Sequence, residues 1–285
     1  MVYSRLVLSG GAVKGIAYIG VLKYFEENKD TFRYFDEFVG TSIGAMMCLL
    51  IVLNYSSKQL KKIFWDFDFN SVKNTSISIL VEKFGLDNGE LLENMLKKFI
   101  RNKGLDENIS FKNLYLITGK SLVICVSNVN KKATRYFDKN FDPDMPVYLA
   151  VRISMNLPLI FTPVEYQGHL YIDGGLTNDI PVNYPNVSNK ETICICLNSI
   201  ENEESSLVSL ESYFYNVFKL AFKVISEASK KFARENGIIL IEIKSAIRLS
   251  LDFSLTLDQR ELLYTSGYDR VKEIFNKLNK NGANK

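Results

Sequence analysis

The chain has 285 residues, of which 47% are hydrophobic, and a formal net charge of +3. This length and composition fit one α/β domain with a large buried core, and so small a charge gives no support to a nucleic-acid partner. The longest apolar stretch, residues 43–53, is too short to cross a bilayer, and the first residues do not have the pattern of a signal peptide. We therefore expect no transmembrane segment and a cytoplasmic protein, either free or peripheral at membranes.

The first predicted strand leads into a glycine-rich turn and then a helix. Residues 5–8 are the strand, Ser9–Gly15 reads Ser-Gly-Gly-Ala-Val-Lys-Gly, and the helix is expected over 14–27. Such a turn presents several free backbone N–H groups at one point, which suits an anion. It lacks the Gly-Lys-Ser/Thr of a Walker loop, and Ala12 replaces the second glycine of the dinucleotide-binding pattern. On these residues alone, phosphate binding and an oxyanion hole both remain open.

The pentapeptide Gly40-Thr41-Ser42-Ile43-Gly44 matches the pattern G-x-S-x-G. A predicted strand over 37–40 leads into it and an apolar helix over 43–53 leads out, which is the context of a nucleophilic serine. The glycines let the backbone turn sharply, and the helix N-terminus favours negative charge on an attacking oxygen. Ser42 is therefore a candidate nucleophile, with a plain turn as the alternative. We call this strand–turn–helix arrangement around residues 40–44 the elbow. Together with the elbow, the earlier glycine-rich turn is most simply interpreted as an oxyanion hole.

Strands and helices continue to alternate along the rest of the chain. Helices are predicted near 57–66, 77–84, 89–102 and 146–155, and across the apolar stripe 214–228. Strands are predicted near 121–127, 133–137, 192–198 and 238–243. This alternation predicts an α/β fold in which helices cover both faces of a largely parallel sheet. We interpret the stripe at 214–228 as core rather than membrane contact.

The four cysteines lie in apolar runs and are interpreted as small buried hydrophobes rather than as disulfides. They are Cys48, Cys125, Cys194 and Cys196. Two thiols and one distant histidine make a poor zinc set, and no acidic loop has the spacing of calcium ligands. We expect no metal and no cofactor.

Positive charge is concentrated in residues 58–135, which contain fourteen Lys and Arg against eight Asp and Glu. Such a cluster can meet anionic lipid headgroups. Solvated helix faces are the alternative interpretation. The residues concerned are Lys58, Lys61, Lys62, Lys97, Lys98, Arg101 and Lys103.

A nucleophilic serine needs a base, and the chain contains one histidine, His169. If residues 169–173 are extended, His169 lies about 13 Å from Asp173, at roughly 3.3 Å per residue, so the two cannot share a hydrogen bond. We interpret Gly168-His169 as a hairpin turn with a solvated imidazole. The acid must then act on the serine directly, which indicates a dyad of Ser42 and Asp173.

Three blocks in this order resemble the patatin-like phospholipase family: Ser9–Gly15, Gly40–Gly44 and Asp173-Gly174-Gly175. Residues 150–158 are similar to the family's helix ahead of the aspartate, and residues 176–182 to its usual sequel. The resemblance covers about residues 5–198, with a family-like helix near 257–278. It implies a three-layer sandwich and one patatin-like domain over residues 1–285, comprising the motif-bearing core and a C-terminal segment over 210–280.

The resemblance also implies a lipid acyl hydrolase of the phospholipase A or esterase type, acting on a phospholipid or another acyl lipid at a membrane surface. Ser42 would be the nucleophile and Asp173 the proton acceptor. The oxyanion hole would come from Gly10, Gly11 and Ala12, with Gly11 and Ala12 as the main donors. The remaining motif positions are Gly15, Gly40, Gly44, Gly174 and Gly175. Ala12 stands where the family usually has a third glycine, which matters if the position needs positive φ, at a cost of about 1 kcal/mol.

Two other classes of function remain open. A catalytically weak patatin-like protein could act mainly as a membrane- or partner-binding module, although both Ser42 and Asp173 are present. A histidine-dependent esterase or protease is disfavoured by the position of His169. Assays of the wild type beside Ser42→Ala on phospholipid and on short esters separate these classes.

Overall fold

The computed structural model describes residues 3–29, 34–68, 83–185, 191–199, 210–245 and 255–282. The strands are β1 (Arg5–Leu8), β2 (Glu37–Thr41), β3 (Gly85–Asp87), β4 (Ser121–Asn128), β5 (Ala133–Phe137), β6 (Leu159–Phe161), β7 (Val164–Tyr166), β8 (His169–Asp173), β9 (Thr192–Ser199) and β10 (Ile239–Ser245). The α-helices are α1 (Ala17–Glu27), α2 (Ile43–Val52), α3 (Ser57–Asp66), α4 (Glu90–Arg101), α5 (Phe111–Thr118), α6 (Val147–Ser154), α7 (Gly175–Asn178), α8 (Leu210–Glu235) and α9 (Leu257–Gly282).

The main sheet has eight strands in the order β10-β9-β1-β2-β4-β8-β7, with β5 also paired to β4. The strands β10, β9, β1, β2 and β4 pair in parallel, whereas β5, β7 and β8 join in antiparallel pairs at one end. The parallel strands β1 and β4 are buried along their whole length, as expected for strands covered on both faces. The predicted α/β fold with a largely parallel sheet is confirmed.

Helices cover both faces of this sheet. On one face, the larger core includes Phe25 of α1, Leu50 of α2 and Phe275 of α9. On the other face, a smaller core joins Val7 of β1 to Ala233 of α8. The four cysteines are buried and unpaired, in keeping with their interpretation as small hydrophobes. Within the described ranges, none of the helices combines the length and apolar character needed to cross a bilayer.

Several predicted elements differ from the structure. The helix expected over 14–27 begins as a 3-10 turn at Ala12–Ile16 and becomes α-helical only at α1. The helix predicted over 77–84 falls mostly on residues 69–82, which lie outside the described residues. The helix α5 was not predicted, because its apolar residues Leu116 and Ile117 are 69% and 61% exposed and form no buried stripe. The short parallel pair of β3 and β6 was not predicted either.

The apolar stripe predicted over 214–228 does lie on a helix, within α8. Its side chains are not uniformly buried, however. Of the stripe residues, Phe218, Ala221 and Ile225 are half-buried, whereas Val217 is 42% exposed and Ala228 is also exposed. The interpretation of the stripe as core is therefore wrong for its outer side, because α8 packs on the body of the chain along one side only.

Candidate active site

One edge of β4 brings two strand ends together. The first part of β4 pairs with β2, and its last three residues continue on the same edge with β8, because β5 occupies the opposite edge. Thr41 at the end of β2 pairs with Cys125, and Asp173 at the end of β8 pairs with Val126. Cys125 and Val126 are consecutive residues of β4, and Ser42 directly follows Thr41. The pairing with β4 therefore places Ser42 and Asp173 side by side.

Ser42 occupies a strained turn at the N-terminus of α2. Its φ of 55° and ψ of −124° lie in a region that non-glycine residues rarely adopt. A Cβ on Gly44 would lie 2.3 Å from the Leu8 carbonyl oxygen and 2.5 Å from that of Ser9, so only glycine lets α2 approach the end of β1 this closely. The predicted strand–elbow–helix arrangement is present, and it places the Ser42 side chain at the positive end of α2.

The Ser42 hydroxyl lies close enough to the Asp173 carboxylate to favour its ionised form. Asp173 is only 4% exposed, and its Oδ1 accepts the Gly175 N–H at 2.7 Å. Burial raises the pKa of Asp173 to about 7, which outweighs the opposing effect of the Gly175 N–H and the Ser42 hydroxyl. The carboxyl group is therefore suited to exchanging a proton near neutral pH.

The C-terminal end of α6 and the residues just after it hold both members of the pair, a role that sequence reasoning missed. Ser154 Oγ donates to the Cys125 carbonyl oxygen at 2.6 Å and accepts the Ser42 N–H at 2.8 Å. Two residues further on, the Asn156 carbonyl oxygen accepts the Asp173 N–H at 2.9 Å. The similarity of residues 150–158 to a family helix was the only available signal, and it indicated no role for either side chain.

The glycine-rich turn lies directly against the serine. A Cβ on Gly10 would lie 3.5 Å from the Ser42 Cβ. The Gly10 N–H, predicted as one oxyanion donor, instead donates to the Asp179 carbonyl oxygen at 3.1 Å and is already engaged. Within the described part of the chain, the N–H groups of Gly11 and Ala12 find no acceptor. These two groups are left as the candidate donors to an oxyanion.

Ala12 has a φ of 48°. This is the positive φ at which alanine, in place of the glycine that the family usually has, is expected to be strained. The left-handed conformation costs an alanine roughly 1–2 kcal/mol. Three residues later, a Cβ on Gly15 would lie 2.1 Å from the Ile43 side chain. The close packing of the 3-10 turn on α2 keeps Ala12 in this conformation.

The two glycines after Asp173 allow other chain segments to approach it. A Cβ on Gly174 would lie 2.3 Å from the Cys125 carbonyl oxygen of β4. A Cβ on Gly175 would lie 3.0 Å from the Phe222 ring of α8. The helix α8 thus lies over the dyad, with Phe222 on the side that faces it.

Residues 6–185 match the model of the patatin-like phospholipase family. The chain belongs to this family. It is 31% identical to the uncharacterized protein R571 of Acanthamoeba polyphaga mimivirus, over 96% of this chain and 94% of that protein. It is 29% identical to the probable lipid hydrolase 463L of invertebrate iridescent virus 6, over 66% of this chain and 67% of that protein. Among solved structures, VipD of Legionella pneumophila matches 96% of this chain and 67% of its own, with a TM-score of 0.64 at 18% identity.

The histidine of this patatin-like chain lies away from the dyad. His169 and Asp173 occupy opposite ends of β8, and His169 pairs with Tyr166 across the hairpin, whose turn residues Gln167 and Gly168 both have positive φ. The predicted hairpin is present. Contrary to the expectation, the imidazole is not fully solvated: its Nδ1 is buried and has no hydrogen-bond partner among the residues that the structure describes, and the ring lies 6.4 Å from that of Tyr171.

The His169→Ala variant should keep turnover within a few-fold of the wild type. A general-base histidine contributes on the order of 10²–10⁴-fold, and His169 lies at the wrong end of β8 for that role. The measurement is ester hydrolysis by both proteins, with circular dichroism to show that the variant is folded. A loss on the scale of a general base in a folded variant would contradict the dyad.

The basic residues predicted to meet lipid headgroups are largely engaged within the protein. Lys61 pairs with Glu261 at 2.9 Å and Lys97 with Glu93 at 2.6 Å. Arg101 pairs with Glu107, and Lys103 Nζ donates to the Asn54 carbonyl oxygen at 2.9 Å. These contacts favour the interpretation of the cluster as solvated helix faces.

Proposed function

We propose that this chain hydrolyses carboxylic esters of phospholipids or other acyl lipids, with Ser42 as nucleophile and Asp173 as general base. The observation that carries the proposal is the placement of Ser42, at a strained elbow, beside the buried Asp173 carboxylate. Membership of a phospholipase family supports the lipid substrate, as does the name of the viral lipid hydrolase.

Acylation begins when Asp173 accepts the Ser42 proton and Ser42 Oγ attacks the ester carbonyl carbon. The carbonyl oxygen becomes an oxyanion, which the N–H groups of Gly11 and Ala12 and the N-terminus of α2 stabilise. The tetrahedral intermediate collapses by breaking the bond to the alcohol oxygen. Asp173 returns its proton to that oxygen, so that the alcohol leaves and the acyl group stays on Ser42.

Deacylation repeats these steps with water as the nucleophile. Asp173 accepts a proton from the water, and the hydroxide oxygen attacks the acyl carbon. Collapse breaks the bond to Ser42 Oγ, which recovers its proton from Asp173, and the fatty acid is released. No metal or cofactor takes part in this proposal, because one carboxylate handles each proton transfer.

The proposal includes a substrate that reaches the dyad from a lipid surface. The helix α8 places Phe222 against Gly175, while Leu220 and Val224 on the same helix are 67% and 72% exposed. Exposed apolar side chains in a row on one helix are typical of surfaces that contact a partner or a membrane. Peripheral attachment of a cytoplasmic protein to membranes is the corresponding prediction for location.

The test is fatty-acid release from phospholipid vesicles beside hydrolysis of a soluble p-nitrophenyl ester, each over a pH series. We expect both reactions, and an acidic limb in kcat/KM with a midpoint near pH 7, because Asp173 must be ionised to accept the serine proton and burial raises its pKa to about 7. Vesicle binding without release of fatty acid would instead support a catalytically weak binding module. A midpoint near pH 4, the usual value for an aspartate, would contradict a buried base.

A further inference from the structure

A second carboxylate, Asp179, lies between the glycine-rich turn and α8. Its main-chain carbonyl accepts the Gly10 N–H at 3.1 Å, and its Oδ1 lies 2.3 Å from where a Cβ on Gly10 would be. Its Oδ2 accepts a hydrogen bond from Ser226 Oγ of α8 at 3.0 Å. A Cβ on Gly175 would lie 3.3 Å from the same Oδ1. Asp179 therefore lies against the backbone of Gly10, next to Ser42, and of Gly175, next to Asp173, but is not itself part of the dyad.

We propose that Asp179 is a positioning residue for the reaction: its main-chain carbonyl holds the glycine-rich turn against Ser42, and its carboxylate places a second negative charge beside Asp173. The proposal rests on the dyad mechanism proposed above. Gly10 immediately precedes the two oxyanion donors, so any movement of its N–H away from Asp179 also moves Gly11 and Ala12 relative to the reacting carbonyl. Ser226 connects this contact to the helix that lies over the dyad.

The two carboxylates differ in their charged neighbours. Lys14 and Lys230 attract the Asp179 carboxylate and, with the hydrogen bonds from Ser226 and Gly10, oppose the rise in its pKa that burial causes. No lysine or arginine in the described ranges acts on Asp173 in this way, and the charge of Asp179 raises the pKa of Asp173 further. Burial thus raises the pKa of both carboxyl groups, but positive charges oppose that rise only at Asp179, and the charge of Asp179 acts on Asp173.

Apart from Lys14 and Lys230, the titratable groups around the pair in the described residues stay neutral between about pH 5 and 9, because burial raises their pKa values. They come from α1, β4 and β9 and are Tyr18, Cys125, Cys194 and Cys196. Lys230 stays charged, since its ammonium also pairs with Glu227 at 2.8 Å and Glu242 at 3.3 Å. Asp179 is thus the group whose removal should change the titration of Asp173.

The test is the pH profile of kcat/KM for Asp179→Asn on a soluble p-nitrophenyl ester, which avoids effects of lipid docking. The amide keeps the size of the side chain and removes its charge, so the acidic limb should move to lower pH. The plateau should fall by about two- to tenfold, because a weaker base accepts the serine proton less readily. Ser226→Ala, which removes one hydrogen bond from the Asp179 carboxylate, should move the limb in the same direction by less.

Asp144→Asn is the matched control, since Asp144 is an exposed aspartate, and its profile should overlay that of the wild type. An acidic limb for Asp179→Asn that coincides with the wild type or moves to higher pH would overturn the proposal. Ser42→Ala in the same series separates a failure of the proposed function from a failure of the proposed role of Asp179. If Ser42→Ala keeps activity, the proposed function fails; if it is inactive and the Asp179→Asn limb does not move, only the role of Asp179 fails.

Discussion

Ser42→Ala should lower the rate of ester hydrolysis by about 10³-fold or more while leaving the fold intact. In the proposed mechanism the substitution deletes the atom that forms the acyl-enzyme, and the proposed oxyanion donors alone would provide only residual catalysis. The backbone N–H of residue 42 keeps its bond to Ser154 Oγ, because that bond does not use the Ser42 side chain. Alanine at the same φ of 55° retains the strain of the elbow without increasing it.

A fluorophosphonate probe provides the measurement independently of the substrate, because it labels an activated serine covalently. The wild type should be labelled and Ser42→Ala should not. Ser266→Ala is the control, since Ser266 lies on α9 with its hydroxyl bonded to the Leu263 carbonyl oxygen, and it should be labelled like the wild type. Equal labelling of Ser42→Ala and wild type would show that another serine reacts.

Asp173→Asn should be nearly as damaging as the loss of the serine. An amide oxygen can still accept the Gly175 N–H, so the local structure should persist. The amide cannot accept a proton, however, and a two-residue unit fails when either member is removed. The measurement is kcat/KM for the same ester, with a thermal melt to show that the variant is folded.

The same exposed-aspartate control, Asp144→Asn, should retain full activity in this assay. If Asp173→Asn keeps more than about a tenth of the wild-type activity, the carboxylate contributes less than about 1.4 kcal/mol to the barrier. Another group would then have to act as the base. The loss should also be independent of pH above about 7, where the wild-type carboxylate is ionised.

The sequence predicts those parts of the site that depend on local pattern. The elbow requires a strand, two glycines and an apolar helix within a short stretch, so Ser42 could be identified from its neighbours. The glycine-rich turn was recognised in the same way. Asp173 needed two further arguments, the elimination of His169 by strand geometry and the resemblance to a family. The first argument concerns residues close together in sequence, and the second rests on the order of three short local blocks.

The parts that escaped prediction depend on contacts between distant segments. Ser154 bonds to the N–H of a residue 112 positions earlier, and no local pattern distinguishes it from any other helical serine. The pairing of β2 and β8 along one edge of β4 is a property of register, which alternation of strands and helices does not specify. The loss of Gly10 as a donor likewise follows from its contact with Asp179.

The burial of Asp173 has a consequence for the stability of the folded protein. In the unfolded chain this carboxyl ionises near pH 3.9, whereas in the folded chain it keeps its proton up to about pH 7. At this position the folded state therefore binds more protons between these values, and the contribution of Asp173 to the free energy of unfolding falls as the pH rises through that window, by about 4 kcal/mol. This is a large fraction of the roughly 5–15 kcal/mol that keeps a typical domain folded. In the proposed mechanism the ionised form of Asp173 reacts, and this is the form in which the group stabilises the fold less, so an uncharged side chain at position 173 should make the protein more stable and inactive at once.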